Sequence, residues 1–587
     1  MKTLRALVFT CLTLSTLAVS TPVTYAAEAV NRADTLKTYV SSPIQSLDPI
    51  YVKGKSAHAV SRLVHSGLVG YSPKILPPRK GAYHQIVPAI ASSWQVGSDK
   101  KSYIFRLNPE ARFQNGRQVT AEDVKYSFER AANPNLNVAD SWALERLGII
   151  GLKRYQAARR AGLQEPHLLG VEVIDHDIVQ IQLDRPIPYA LELLALPLFS
   201  IVPRETVQIW WEDFGKKPMG AGPYQVTAFD KNQVHLKKVN TAHNSSEVEN
   251  AAIQVQVIPS EKEQFMAFTQ QKIDHAPVPE TYLKKVLNDP RWNPLGTEKA
   301  RQAMRLNNLS LSRVVKTPRW ESQYISMNNQ RFPFTEPKVR QAFNYAVDKQ
   351  AMIQNDLKSY GVPMTGIFPP GFPGGTRTQP LYEQDLDKAR TLLFEAGWRD
   401  KDYDGDIEPW QNPRLNLVLH YHNEVPESYA ICQRIQADLA KIGVTVKLAP
   451  LRDFQQSNPG QLPSFFHMAT APEILDPSQL FYPTFSASSR YNTSGYQGEL
   501  GTSTPGMMGA PKVQELISQA EDLTYEPRRY ELYQEAERLI IEDAPWLFLF
   551  HPVDYQIVQP RVNVFAVHPQ LPLAYEQMSL QTRTARQ

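Results

Sequence analysis

The stretch from Pro88 to Arg130 constrains the fold of this chain more than any other part of the sequence. Within it, Ser102 to Leu107 alternates apolar and polar residues, which is the pattern of a half-buried β-strand. Asn115 and Gly116 come next, and this pair tolerates the positive φ angles of a tight turn. The first half of the stretch therefore predicts a strand followed by a turn.

A helix is predicted directly after this turn. The hydroxyl of Thr120 can accept a hydrogen bond from the backbone N–H of Asp123, and the Asp123 carboxylate suits the positive end of a helix. Apolar residues follow at helical spacing, at Ala121, Val124, Phe128 and Ala131. Strand, turn and capped helix together indicate an α/β chain.

The amino terminus predicts export. Met1 to Arg5 is a short basic segment, Ala6 to Val19 is apolar, and Thr24 to Ala26 ends in a small residue as a signal peptidase requires. Thr and Ser interrupt the short apolar run, which favours a cleaved signal, with an uncleaved anchor as the alternative. Cys11 lacks the small preceding residues that lipidation requires. We expect a periplasmic protein that loses residues 1–26 as its signal peptide and is not lipidated.

The composition of the mature chain predicts several domains. Removal of the signal leaves 561 residues and one cysteine, Cys432, so no intrachain disulfide can form. This length indicates two or three domains, and the 46 prolines fit many irregular connections. The 63 basic residues less Lys2 and Arg5 leave 61 against 59 acidic residues, without a basic cluster that interleaves with aromatic residues. No nucleic-acid partner is expected.

The stretch from Pro88 to Arg130 resembles the family 5 extracellular solute-binding proteins, which are the peptide, nickel and haem receptors of ABC importers. The family pattern here is Pro-x-Leu-Ala-x-x-Trp, a Tyr-x-Phe-x-Leu-Arg strand, Phe-x-x-Gly and a Thr-Ala-x-Asp-Val helix start, and nearly every part is present. Further similar strings follow in the family's order, at Gly220 to Tyr224, Tyr324 to Phe334, Val339 to Lys349, Lys388 to Trp398, Gln436 to Gly443 and Ala520 to Pro545. The resemblance covers essentially the whole mature chain.

The resemblance implies an α/β periplasmic binding protein fold of type II, similar to cluster C, with two lobes around a hinge and an extra small domain. The implied lobes are a discontinuous lobe I of residues 27–70, 196–315 and 546–587, a small lobe II of residues 71–195 and a lobe III of residues 316–545. Segments near Val314 to Tyr324 and near Ala544 to Phe550 would form the hinge. A monomeric receptor would close around its ligand and deliver it to the membrane permease.

Two further expectations concern single side chains. Arg340 and Asp348 are eight residues apart on one side of a helix that begins near Pro337, so we expect a solvated or interlobe charge pair. Cys432 falls among apolar helical positions, which predicts a core thiol.

A peptide receptor must hold the backbone and the charged ends of its ligand. In peptide binders of the family, an Asp lies three residues before an acidic-Pro or Asp-Pro pair, and here Glu473 lies three residues before Asp476 and Pro477. The resemblance implies ammonium capture by Glu473, with surface or structural pairing as the alternative. It also places the ligand main chain along Met468, Ala469 and Thr470, and near Ser41 and Ser42.

At the position that would hold the carboxyl end of the ligand, this sequence differs from the dipeptide binders that it resembles. They use an Arg upstream of the Gln-Ala-Asp-Leu helix, and counting back without gaps from Gln436 leads to His422. A histidine side chain can replace only part of the bidentate contact of Arg with the carboxylate, and only when the histidine is protonated. We therefore expect peptides longer than dipeptides, with Arg490 as the next candidate for the carboxylate. A nickel, haem or opine-type receptor on the same scaffold is the alternative.

Two patterns bear on metal ions, and no cofactor is expected. His420 and His422 share a face if they lie on a strand, and with Glu424 they could bind nickel or zinc, but no Cys or second close pair completes the set.

The second pattern is a weak candidate for calcium. Asp400, Asp402 and Asp404 have the spacing of a calcium loop, with a glycine at position six. Position twelve is Gln411 instead of the usual Glu, so a solvated turn is the alternative.

Catalysis has little support in the sequence. It contains neither the Gly-x-Ser-x-Gly motif of serine hydrolases nor the His-Glu-x-x-His motif of metalloproteases. We expect a binding receptor and not an enzyme, with a periplasmic hydrolase as the remote alternative.

Overall fold

The structure is a computed structural model. It describes residues 34–71, 86–163, 166–292, 313–372, 374–400, 405–410, 412, 415–472, 474–498, 512–523, 526–564, 575 and 578–580. The predicted signal peptide lies outside these residues, as do Glu473, Asp402 and Asp404.

Strands and helices are mixed along the described residues, as in an α/β chain. The strands are β1 Thr35–Val40, β2 Val69–Tyr71, β3 Ile86–Pro88, β4 Ala91–Val96, β5 Ser102–Leu107, β6 Val171–Asp175, β7 Ile178–Gln182, β8 Tyr224–Phe229, β9 Gln233–Lys238, β10 Ala252–Val257, β11 His275–Pro277, β12 Val314–Pro318, β13 Ser322–Met327, β14 Gly361–Pro363, β15 Trp398–Arg399, β16 Glu408–Pro409, β17 Leu417–Tyr421, β18 Val446–Pro450, β19 Phe465–Thr470, β20 Trp546–Val558, β21 Val562–Val564 and β22 Ser579–Leu580.

The helices are α1 Gly54–Val64, α2 Ala121–Ala131, α3 Ser141–Leu147, α4 Leu152–Arg160, α5 Ala190–Leu194, α6 Arg204–Trp210, α7 Glu261–Thr269, α8 Glu280–Asn288, α9 Pro337–Ala346, α10 Lys349–Ala351, α11 Leu386–Glu395, α12 Pro426–Ala440, α13 Leu451–Ser457, α14 Ser478–Phe485, α15 Lys512–Asp522 and α16 Glu526–Asp543. Within the part of the chain that is described, no helix is long and apolar enough to cross a membrane.

The strand, turn and capped helix predicted between Pro88 and Arg130 are confirmed. Strand β5 buries alternate residues and exposes those between them, and Gly116 has a φ of +87°. At the start of α2, the Thr120 hydroxyl accepts from the Asp123 N–H at 3.4 Å, and the Asp123 carboxylate accepts from the Thr120 N–H at 2.9 Å. This reciprocal capping fixes where the helix begins.

Three sheets organise the fold, and we name three bodies after them. The first body contains the sheet β1-β10-β9-β8, in which β1 and β10 are parallel. The small body contains the antiparallel sheet β4-β5-β7-β6. The large body contains the sheet path β20-β13-β19-β17-β18. Each sheet adjoins at least one buried apolar cluster of its own.

Strand β20 is shared between the large body and the first body. Its first half pairs with β13 and β14, and its second half, from Val553 onward, pairs with β12 and β11. We count β11 and β12 with the first body, because they share an apolar cluster with Tyr39 of β1. A second crossing runs from β12 to β13 through Arg319 to Glu321. We call these two connections the hinge crossings. They lie in or beside the segments expected to form the hinge, whereas the exact lobe boundaries stay a prediction.

The predicted pairing of Arg340 with Asp348 is wrong. Helix α9 ends at Ala346, so the two residues are not on one helix. Arg340 is buried and donates to Asp543 Oδ1 at 2.7 Å and to the Phe334 carbonyl at 2.7 Å. The Asp348 carboxylate accepts instead from the Ala351 N–H at the start of α10. Burial lowers the pKa of Arg340 and raises that of Asp543.

The prediction for Cys432 is confirmed. Its side chain is fully buried on α12 in the apolar cluster of the large body. Burial raises the pKa of the thiol well above its usual value, which keeps the sulfur protonated and inert.

We expect Arg340→Met to lower the free energy of unfolding by about 3–5 kcal/mol, because the Asp543 carboxylate stays buried without its cation. Urea denaturation measures the loss. The matched control is Arg538→Met on the same helix as Asp543, since Arg538 forms an exposed pair with Glu542 and its removal should cost less than about 1 kcal/mol. Equal losses in the two variants would contradict the structural role of Arg340.

Glu537 on α16 predicts a pH dependence of stability. It is buried, and its Oε1 accepts from the backbone N–H groups of Ile367 and Phe368 at 2.6 and 3.2 Å. Burial raises its pKa from 4.5 to about 7, although these amides oppose the shift. Because the pKa is higher in the folded state, its contribution to stability is complete below pH 4.5 and is lost as the pH rises through about 7.

Wild-type protein should therefore lose about 2–3 kcal/mol more than Glu537→Gln between pH 5 and pH 8. Urea denaturation at the two pH values compares them. The same pH dependence in both proteins would show that Glu537 does not titrate in this range.

Candidate functional site

A cavity of about 320 Å³ lies between the first body and the large body, beside the hinge crossings. We call it the hinge cavity. Its walls come from the end of β1, from α1 and α7, from the chain between β12 and β13, from β20 and from the two residues after β19. Because these walls belong to two bodies, movement at the hinge crossings changes its width.

A larger cavity of about 580 Å³ lies elsewhere, among α2, α4, α6 and Tyr51. None of these elements belongs to the large body, so movement of that body neither opens nor closes it. Ligand sites lie preferentially at the interfaces between domains. We therefore place the candidate site in the smaller hinge cavity.

Arg319 connects two carboxylates of the hinge cavity. Its Nε donates to Asp554 Oδ1 at 2.8 Å, and its Nη1 lies 4.0 Å from Glu321 Oε2. Burial disfavours the charged form of Arg319, but Asp554 and Glu321 outweigh this effect and raise its pKa. Together with Lys55 and Glu261, the wall carries three carboxylates and two cations. This excess of negative charge suits a ligand with a cationic group.

Hydroxyl groups lie on the wall that the first body contributes. Ser41 directly follows β1 and lines the cavity, and its Oγ accepts from Gln264 Nε2 at 3.4 Å. Ser42 donates to Ser56 Oγ at 3.1 Å, and Ser56 lines the cavity. Both predicted serines are exposed, so their remaining hydrogen-bonding capacity is available to a ligand.

Strand β19 has one paired edge and one partly open edge near the cavity. It pairs with β13 along its whole length, whereas β17 pairs with it at His420 and Phe466 in the part of the chain that is described. The His467 carbonyl faces the β17 side, because it accepts from His422 Nε2 at 2.9 Å. Alternate residues of a strand point the same way, so the N–H and C=O of Ala469 also face away from β13.

The histidines lie outside the lining of the hinge cavity. His422 contacts His467, and His467 is buried. The Nδ1 of His467 shares a hydrogen bond with Ser428 Oγ at 2.8 Å. Burial lowers the pKa of His467 to about 3, with a smaller effect from His422. His420 is buried beside the Phe465 carbonyl. No group of three or more His, Cys, Asp or Glu side chains that could hold a metal ion occurs among the described residues.

The other predicted site residues fall in different places. Arg490 is exposed, donates to the Tyr491 hydroxyl at 2.7 Å and does not line the hinge cavity. Glu473 lies outside the described residues, although Pro472 before it lines the cavity. Asp400 accepts from the Gly405 N–H at 3.2 Å, while Asp402 and Asp404 of the calcium pattern are not described.

The sequence prediction missed the charged residues of the hinge cavity. Arg319 and Glu321 lie within the segment expected to form the hinge, and charged residues in a segment otherwise typical of a buried strand were a usable signal. Asp554 and Glu261 gave no comparable signal, because their approach to Arg319 depends on the pairing of distant strands.

Comparison with known proteins shows the family. Residues 85–492 match the bacterial extracellular solute-binding proteins, family 5 Middle. The glutathione-binding protein GsiB of Salmonella typhimurium is 25% identical over 530 residues, which cover 86% of this chain and 87% of that protein. The dipeptide-binding protein of Escherichia coli is 25% identical over 515 residues, which cover 85% of this chain and 86% of that protein.

A solved structure shows the same fold. The unliganded open form of the periplasmic murein tripeptide binding protein MppA matches with a TM-score of 0.74 at 20% identity, and covers 94% of this chain and 98% of that one. The α/β periplasmic binding protein fold predicted from the sequence is confirmed. Since the family match spans more than half of the chain, the protein belongs to family 5 of the bacterial extracellular solute-binding proteins, whose members are transport receptors and not enzymes.

Proposed function

We propose that this protein is a periplasmic receptor that binds short peptides in the hinge cavity and delivers them to the membrane permease of an ABC importer. The observation that carries the proposal is the cavity itself, whose walls belong to two bodies joined by β20 and carry an excess of carboxylates. Relatives named for binding glutathione and dipeptides support peptides as the ligand class.

The ligand main chain would pair with the open edge of β19. Ala469 faces its N–H and C=O away from β13, and Ala471, which follows the strand, lines the cavity. Backbone hydrogen bonds of this kind hold peptides of many sequences. Met468, Ala469 and Thr470 are therefore proposed as the ligand-binding strand, with Ser41 on the facing wall and Ser42 beside it as the other ligand-binding hydroxyl groups.

The two ends of the ligand would be held with unequal strength. Glu473 is proposed to capture the ammonium group, and the negative charge of the hinge cavity supports a cation there. His422 already donates through Nε2 to the His467 carbonyl, so a ligand carboxylate gains little from it. This arrangement supports peptides longer than dipeptides, with Arg490 as the alternative partner of the carboxylate.

The cavity volume supports a short ligand. About 320 Å³ lies near the lower end of the range of about 300–1,000 Å³ for small-molecule sites. We propose that the receptor acts as a monomer, and that it is released into the periplasm by cleavage of residues 1–26 without lipidation.

Calorimetric titration of a tripeptide and its N-acetylated form tests the ammonium site. The free peptide should bind wild-type protein more tightly by about 2–5 kcal/mol, because acetylation removes the cation with which Glu473 is proposed to pair. Glu473→Gln should lose most of this difference. Glu395→Gln is the control, since Glu395 forms an exposed pair with Lys338 and should behave as wild type.

Equal affinities for the free and the acetylated tripeptide would overturn the role of Glu473. Recovery of the tripeptide as fragments, instead of intact, would favour a hydrolase.

Small-angle scattering tests closure at the hinge crossings. A saturating tripeptide should reduce the radius of gyration, and the melting temperature should rise with ligand concentration. Proven binding with an unchanged radius of gyration would contradict a hinge mechanism.

A further inference from the structure

A second contact, apart from the hinge crossings, joins the small body to the large body. Arg146 on α3 of the small body donates through Nη2 to Glu521 Oε2 on α15 at 2.7 Å. The Arg146 guanidinium also lies 4.9 Å from the ring centroid of Tyr482 on α14. An ion pair and a cation–π contact therefore bridge two bodies that have separate cores.

Glu521 is held from both sides of this contact. Tyr533 of the large body donates to its Oε1 at 2.8 Å, and Tyr189 of the small body lies 3.5 Å from its Oε2. Burial raises the pKa of Glu521, while Arg146 opposes the shift. The carboxylate is thus the point at which donors from the two bodies converge.

An apolar contact accompanies the ion pair. Ile474 is fully buried in the apolar cluster of the small body, although its neighbour Leu475 packs in a cluster of the large body. Both residues follow closely after Ala471 and Pro472, which line the hinge cavity. One short segment therefore connects the wall of the cavity to the core of the small body.

A buried ion pair links this segment to α15. Asp476 accepts from Arg529 at 2.6 and 3.0 Å, and Arg529 Nε donates to the Ala520 carbonyl at 2.8 Å. Ala520 precedes Glu521 on α15. A series of contacts through Asp476 and Arg529 thus connects the segment after Pro472 to the residue next to Glu521.

We propose that Arg146 and Glu521 are positioning residues that hold the small body against the wall of the hinge cavity and so set how long a bound ligand stays. They do not line the cavity. The inference rests on the proposed function, because it concerns retention of the peptide. We call the group of Arg146, Tyr189, Ile474, Tyr482 and Glu521 the clasp.

The side chains of Arg146 and Glu521 are exposed enough for their ion pair to break when the two bodies separate. The side chains of Arg146 and Glu521 are 25% and 19% exposed, whereas those of Arg529 and Asp476 are 3% and 6% exposed. Water can solvate the first pair as soon as the bodies separate, which lowers the cost of breaking it. The second pair lies within one body and stays closed.

Release of a tripeptide that carries a dansyl group on a side chain and keeps its amino terminus free, followed by stopped-flow fluorescence, tests the clasp. Glu521→Gln and Arg146→Gln should raise the dissociation rate about tenfold or more and leave the association rate within about twofold, because neither residue lines the cavity and the variants lack the contact that holds the small body beside it. Arg146→Lys should fall between these variants and wild type, since it keeps the charge and loses the planar donor pair. Arg538→Gln is the control, because its exposed pair with Glu542 lies within the large body.

A second measurement is independent of the ligand. Ligand-free Glu521→Gln and Arg146→Lys should show a larger radius of gyration by small-angle scattering than ligand-free wild type, with melting temperatures close to it. Wild-type protein that binds no peptide would overturn the proposed function, while a larger radius of gyration in the variants would still support the clasp. Unchanged radii of gyration together with unchanged dissociation rates would overturn the clasp.

Discussion

The backbone pairing of β20 is the constraint on which the rest of the structure depends. This one strand completes the large sheet with its first half and pairs with β11 and β12 with its second half. Leu547 and Leu549 face one apolar cluster, while Trp546 and Phe548 face the other. Every residue of the strand is buried except Asp554, which is partly exposed and points its carboxylate to Arg319 in the hinge cavity.

Ion pairs in this protein differ in burial, and burial separates their roles. Arg340 with Asp543, and Arg529 with Asp476, lie inside the large body with almost no exposure. Breaking either pair leaves a charge without water or partner, so these pairs fix the shape of one body. Arg146 with Glu521 is partly exposed and spans two bodies. The same chemistry thus forms a sealed pair inside one body and a partly exposed contact between two.

Local patterns predicted local structure well. The alternation in Ser102 to Leu107 and the capping residues Thr120 and Asp123 depend on neighbours within a few positions, and the structure agrees with them. The family resemblance extended the prediction from these local elements to the whole fold. The assignment of Arg340 failed because its partner Asp543 is 203 residues away, and no helical spacing encodes such a contact.

The candidate site could be predicted only in part for the same reason. Ser41 follows a strand and was placed at the cavity by resemblance, whereas Arg319 meets Asp554 across 235 residues of chain. The position of that carboxylate follows from the register between β12 and β20, which places Asp554 opposite Thr317. Register is set by packing on both faces of a sheet, so a single sequence does not reveal which charges will converge.

The position of β20 in the chain also governs the order of folding. The strand ends at residue 558 of 587, yet its partners begin at residue 275. The strands β13, β19, β17 and β18 pair without β20, whereas the pairing of β20 with β13, β11 and β12 requires most of the chain. Contacts of such long sequence separation form slowly. Completion of the two bodies is therefore linked, because both depend on the pairing of this one strand.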